Sequence, residues 1–300
     1  MRKLPVSPWK LAAFAREARH LAESPGRIIM LGADAEALAS VRRSLASGAS
    51  EAAAGNLMET VTGEGAGLPA KMNGSAGIVI FVAAHEELSS GGLGERLGKV
   101  RRAGVPAVVV LTQAPGVEVS FPAAGVAPRR VVGMAPGGVV AEDVLAEAVV
   151  DAMGDAVVPL AARLPVLRNE ACRQLIRKTA RQNAVVGALF FLPGSDMPVM
   201  TLNEAKMVLK IAAAHNESIG AERLLELLGL AGTGFGLRAA ARQVLDFMPG
   251  PGWVIKSGIA YGGTRTLGEA AQAYFNGAVR ITPSRLAPVI DRVKRLKGNV

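Results

Sequence analysis

The chain of 300 residues holds a single cysteine, Cys172, which rules out an intramolecular disulfide and any multi-cysteine metal site. A reducing compartment is therefore expected. Cys172 falls in a helical stretch and reads as a small buried hydrophobe. The three histidines, His20, His85 and His215, are far apart, and none has a second ligand at the spacing that places two imidazoles on one helix face. No metal, cofactor or imidazole base is assigned. Only two Trp and two Tyr are present, and no stretch interleaves aromatics with Arg to build a stacking platform for nucleic acid. Ser195 lies in PGSD, which is not the strand-to-helix GxSxG elbow of a hydrolase, so no catalytic serine is expected. The N-terminal stretch begins with positive charge, but Arg16, Glu17, Arg19 and His20 interrupt it before an apolar region of signal-peptide length. Export is not expected.

Half the residues are hydrophobic, enough for a sizeable core, and the length suits about two domains. The charge is uneven. Residues 159–300 carry 19 Lys and Arg against 9 Asp and Glu, whereas residues 1–158 carry 15 against 16. The basic excess belongs to the C-terminal half, where it serves either a solvated surface or attraction to an anionic membrane.

The hydrophobic period divides the chain in the same place. RIIML, GIVIFVAA, PAVVVLTQ and RRVVGMA are short runs rich in Val and Ile, and helical periods over Asp34–Ser47, Glu86–Arg102 and Val140–Gly154 separate or follow them. This alternation predicts an α/β domain with a doubly wound, mainly parallel sheet over residues 25–158. The stretch Ala54–Gly65 reads as an irregular strand and loop. Residues 1–24 form an expected amphipathic helix, with Leu11, Phe14, Ala18 and Leu21 at helical spacing. After the Pro-rich VVPLAARLP junction the period is helical throughout: Arg163–Asn183, a segment around Met207–Ala214, Ala221–Leu230, Arg238–Phe247 and Gly258–Phe275. These make an all-α domain over residues 163–280, and residues 281–300 hold a basic C-terminal helix, Pro283–Lys297.

Within the helical half, NAVVGALFFLPGSDMPVMTLNEAKMVLKIAAAHN at Asn183–Asn216 joins an apolar run, a Pro-Gly break, one acid and an amphipathic helix. With LLELLGLAG, the Pro-Gly element at Phe247–Gly252 and the closing TLGEAAQAYF, it resembles the YcjF-like bacterial domain of unknown function that usually follows Era-like GTPase domains. The resemblance implies a GTPase-like domain before it, and marks Pro193, Asp196 and Met207 as structural or interaction positions without catalytic roles. A P-loop needs GxxxxGK[ST], so that backbone amides, a lysine and a hydroxyl meet phosphate and magnesium. Gly32 stands at the first glycine, but Ala37, Leu38 and Ala39 replace the second glycine, the lysine and the hydroxyl. KMNGS at Lys71–Ser75 lacks the DxxG carboxylate, and Thr112–Pro115 replaces NKxD. A degenerate P-loop GTPase-like domain follows, with a flavodoxin-like or Rossmann-like domain as the structural competitor. The glycine-rich GTGFG at Gly232–Gly236 lies between helices and reads as a tight turn, and Gly262, Gly263 and Gly268 as sites of close helix approach.

Pro193 is expected to end one helix and Asp196 to cap the next, with a partner or ion contact as the other reading of Asp196. Ala184–Leu202 is long enough to be weighed as a membrane span, but Pro193, Asp196 and Pro198 argue for a helical hairpin in a bundle, with a re-entrant membrane segment second. These residues together imply a non-enzymatic scaffold or regulator in the cytoplasm. It would bind a protein partner or the inner face of the cell membrane, with nucleotide and nucleic acid not expected. The alternative is a diverged nucleotide-binding GTPase-like enzyme.

Overall fold

A computed structural model describes residues 26–63, 76–84, 86–87, 92–112, 126–135, 137–189, 197–217 and 252–277. The expected N-terminal helix, the Ala221–Leu230 and Arg238–Phe247 helices, GTGFG, the basic tail, His20, His85, Pro193 and Asp196 lie outside these residues.

Five strands form one sheet: β1 (Arg27–Gly32), β2 (Met58–Thr62), β3 (Ala76–Ala84), β4 (Ala107–Thr112) and β5 (Val131–Gly133). All pairings are parallel and the order is β2-β1-β3-β4-β5. This is the doubly wound order 2-1-3-4-5 of flavodoxin-like sheets, whose winding order reverses at the β1/β3 pair. Every strand precedes Pro159, and among the described residues none follows it.

The strands read as unbroken apolar runs because both faces are covered. Ile28, Met30, Ile78, Ile80, Val82, Val108, Val110 and Val132 share one face, packed by α1 (Ala35–Leu45), α2 (Glu51–Leu57) and α4 (Glu142–Met153). The alternate residues Ile29, Leu31, Val79, Phe81, Val109 and Leu111 meet Leu93, Leu97 and Val100 of α3 (Gly92–Arg102). The two edge strands are less covered: β2 buries only Met58 and β5 only Val132.

The helical half continues the first of these cores without a break. Helix α5 (Val158–Arg163), a short 3-10 turn at Pro165–Leu167, α6 (Arg168–Leu189) and α7 (Met197–Ala214) add Leu160, Leu164, Cys172, Leu175, Ile176, Met207 and Ile211 to the cluster. Helix α8 (Gly252–Phe275) packs along α6 and α7 and contributes Leu267 and Ala271.

Two local expectations are corrected. Where an irregular strand and loop was expected from Ala54 onward, Ala54–Leu57 end a helix and Met58–Thr62 form a regular strand. Ser50 caps α2 through Oγ, which accepts from Ala53 N at 3.3 Å, and Glu51 suits the positive end of the helix dipole; Met58–Thr62 then pairs regularly with β1. The expected single helix Arg163–Asn183 is broken at Leu164, which is extended at φ −116° and ψ 94° because a residue before proline is pushed out of the α region. The long helix starts at Arg168 instead. The Arg168 guanidinium closes the break, donating to the carbonyls of Ala161 at 3.1 Å and Ala162 at 3.0 Å at the C-terminal end of α5.

No helix of the described residues is long and apolar enough to cross a membrane. Much of Ala184–Leu202 divides between the end of α6 and the start of α7.

Candidate functional site

In a doubly wound sheet, ligands bind in the crevice outside the carboxyl ends of the strands. That crevice exists here as an open cavity of about 600 Å³, whose lining includes Asp34, Glu36, Arg43, Thr112, Met134 and Val139. Its outer wall is a tight turn after β5. Gly137 and Gly138 adopt φ of +92° and +74°, which residues with a Cβ rarely do, and Ala135 N donates to Val139 O at 2.8 Å to close it.

The chemistry of the crevice differs from that of a phosphate cradle. The first-turn amides of α1, which would face an anion there, are already taken: Asp34 Oδ1 accepts from Glu36 N at 2.9 Å and from Ala37 N at 3.0 Å. A fixed carboxylate thus stands where a phosphate would gain most from the helix dipole. With Glu36 beside it and Arg43 as the only cation among the described lining residues, those residues are acidic on balance. Gly32 also has a reason unrelated to phosphate. A Cβ built there would come within 2.5 Å of the Val82 carbonyl oxygen, so the glycine lets β1 approach β3.

A second constellation lies in the helical half, within and around the Asn183–Asn216 stretch. Three helices each place one polar side chain in a buried stripe. Asn183 on α6, Glu204 on α7 and Thr264 on α8 are all at most 1% exposed. Asn183 Nδ2 donates to Thr264 Oγ1 at 2.9 Å and to the Met200 carbonyl at 3.4 Å. Thr264 Oγ1 donates to Glu204 Oε1 at 2.8 Å, and Asn203 Nδ2 donates to Asn183 Oδ1 at 2.9 Å. Such a network fixes the axial position of three helices at once, because sliding any one of them leaves buried polar groups without partners.

Met207 lies just beyond this network, buried, in a packing position. A Cβ added at Gly268 of α8 would stand 2.5 Å from Ile176 Cγ1 and 3.1 Å from Met207 Cε, so α6, α7 and α8 converge on that glycine. Close approach is therefore found at Gly268. At Gly262, where it was also expected, no described atom lies within 4 Å of an added Cβ.

Ionic contacts join the two halves. Asp155, in the turn between α4 and α5, accepts from Lys178 of α6 at 2.9 Å and Lys210 of α7 at 2.7 Å. Burial works to raise the Asp155 pKa, but hydrogen bonds and charge from the two lysines outweigh it and hold the carboxyl below its ordinary value. Cys172 is fully buried, and burial pushes its thiol up to about 12, which leaves it unreactive at neutral pH. His215 is held between the Ile211 carbonyl oxygen and Asn276 Oδ1, each at 2.8 Å, and joins the ends of α7 and α8.

Sequence reasoning passed over the Asn183, Glu204 and Thr264 network, although its signal was present. On α8 the buried positions Ala260, Thr264, Leu267 and Ala271 follow helical spacing, and Thr264 is the polar interruption. Asn183 interrupts the Cys172, Ile176 and Ala180 stripe of α6 in the same way, and Glu204 that of Met200, Met207 and Ile211 on α7.

Comparison of the chain with protein-family models, with curated proteins and with solved structures finds no match.

Proposed function

We propose that the chain is a non-enzymatic scaffold or regulatory protein, in which a degenerate GTPase-like α/β domain carries a basic helical domain that binds a protein partner or the cytoplasmic face of the membrane. The carrying observation is Asp34. Its carboxylate satisfies the α1 amides from within the chain, in the one place where a nucleotide-binding relative would offer them to phosphate. The substitutions at Ala37, Leu38 and Ala39 remove the lysine and hydroxyl that phosphoryl transfer depends on. The YcjF-like resemblance of the helical half supports the same reading, since that domain accompanies GTPase-like domains. Retained volume in the crevice favours the second reading, a diverged nucleotide-binding enzyme.

Titration of the purified full-length protein with a fluorescent guanine nucleotide, with and without magnesium, separates the two. The expected result is no saturable binding and no magnesium-dependent thermal stabilisation. Saturable, magnesium-dependent binding with turnover, abolished by a bulky substitution at Ala37 in the crevice wall, would establish the enzyme reading instead.

A further inference from the structure

Among the described residues, the basic excess of the C-terminal half concentrates on one helix. α6 carries Arg168, Arg173, Arg177, Lys178 and Arg181 against one acid, Glu170. Arg168 is committed to the α5 carbonyls and Lys178 to Asp155. Arg173 and Arg177, one turn apart, instead line a groove of about 420 Å³ against α8, where Arg265 and the hydroxyl-bearing Tyr261 face them. Gln272 Nε2 donates to Asn169 Oδ1 at 3.3 Å and bridges the two helices beside the groove.

Among the described residues, three guanidiniums and one carboxylate, Glu269, share this groove. Glu269 accepts from Arg265 Nε at 2.7 Å, and Arg173 Nη1 pairs with Glu170 at 2.8 Å. Each contact occupies one part of a fork that has five N–H donors. Arg177 makes no ion pair among the described residues. Cations brought together from two helices repel one another unless an anion joins them. Their planar forks suit the several oxygens and nearly double charge of a phosphomonoester better than a singly charged diester or carboxylate.

We propose that the groove between α6 and α8 is a seat for a phosphomonoester, gripped by Arg177 together with Arg173 and Arg265. The proposal rests on the reading of the helical half as an anion-seeking surface and gives that surface a chemical preference. The same group is offered by a phosphatidic-acid headgroup or by a soluble phosphate ester.

The test uses the full-length protein and three probes: inorganic phosphate, phosphatidylcholine vesicles doped with phosphatidic acid, and the same vesicles doped with phosphatidylserine to equal surface charge. Expected is stronger co-sedimentation with the phosphatidic-acid vesicles and competition by inorganic phosphate. Arg177→Lys keeps the charge and loses the fork, so it should weaken phosphatidic-acid binding about tenfold while leaving phosphatidylserine binding unchanged. Arg42→Ala, which removes an exposed charge on α1, should leave both unchanged; circular dichroism confirms the fold of each variant. Equal binding to the two vesicles with no effect of Arg177→Lys overturns the seat and leaves the membrane reading standing. Saturable phosphate binding lost in Arg177→Lys, with neither vesicle bound, supports the seat for a soluble ester and overturns the membrane reading. Absence of binding to all three probes overturns both.

Discussion

Replacing Gly268 by alanine tests whether α6, α7 and α8 meet at that residue. In an open helix interior the change is favourable by about 1 kcal/mol, because alanine is the better helix former. At Gly268 the new Cβ would stand 2.5 Å from Ile176 Cγ1 and 3.1 Å from both Ile176 Cγ2 and Met207 Cε. Ile176 is β-branched and 4% exposed, so its Cγ atoms have no alternative rotamer to retreat into without moving α6. Overpacking of this kind costs about 1 to 3 kcal/mol, and the 2.5 Å contact belongs at the upper end. Net destabilisation is therefore about 1 to 2 kcal/mol after the helix gain. Gly262 of the same helix, with no described atom within 4 Å of its added Cβ, should show only the gain. Urea denaturation followed by far-ultraviolet circular dichroism should give midpoints that move in opposite directions for Gly268→Ala and Gly262→Ala. In an Ile176→Ala background, itself destabilised by a cavity, the added cost of Gly268→Ala should vanish. Equal stabilisation by the two glycine substitutions, or a cost that persists without the Ile176 side chain, would refute the packing.

Thr264→Val preserves shape and removes the hydroxyl that joins Asn183 to Glu204, so it should cost about 2 to 4 kcal/mol, as two buried groups each lose a partner. Thr264→Ser should cost far less, and indistinguishable melting of the two variants would show that the network carries no stability. Asp155→Asn should cost about 1 kcal/mol at neutral pH, discounted because the carboxylate and its lysines are partly exposed. The folded-state pKa of Asp155 lies below the ordinary 3.8, so this contribution is complete above that value and disappears as pH falls through the folded pKa. Stability curves of the wild type and Asp155→Asn measured against pH should therefore converge only in strong acid; convergence near neutrality would contradict the two-lysine clamp.

The parallel sheet was legible because its strands are buried on both faces. Apolar runs such as GIVIFVAA have no polar alternation to disguise them, and each sits beside a helical period. β2 was less legible for the opposite reason. As an edge strand with the pattern METVT it buries only Met58 and exposes Glu59, Thr60 and Thr62, and Gly55 and Asn56 before it read as loop, although the Ser50 cap and the alanines nucleate a helix there. Strand order was not readable at all. It is set by pairings between residues far apart, such as Ile80 with Val108, and no local pattern encodes them.

The crevice shows how the same residue supports two different inferences at two levels of description. In sequence, Gly32 looks like a remnant of phosphate binding, because a glycine after the first strand is what a P-loop requires. In three dimensions its missing Cβ is explained by the Val82 carbonyl, and Asp34 two residues later meets the α1 amides itself. If that carboxylate is what keeps anions out, Asp34→Asn should keep much of the cap, since asparagine and aspartate cap comparably, while removing the charge. Asp34→Gly should open the amides altogether, at only a few tenths of a kcal/mol relative to a good cap. Neither variant supplies the lysine and hydroxyl missing at Leu38 and Ala39, so neither acquires phosphoryl-transfer chemistry. Occupation of the α1 amides by Asp34 and the missing lysine and hydroxyl at Leu38 and Ala39 are thus separate properties of the crevice, and restoring access to its helix amides would alter only the first.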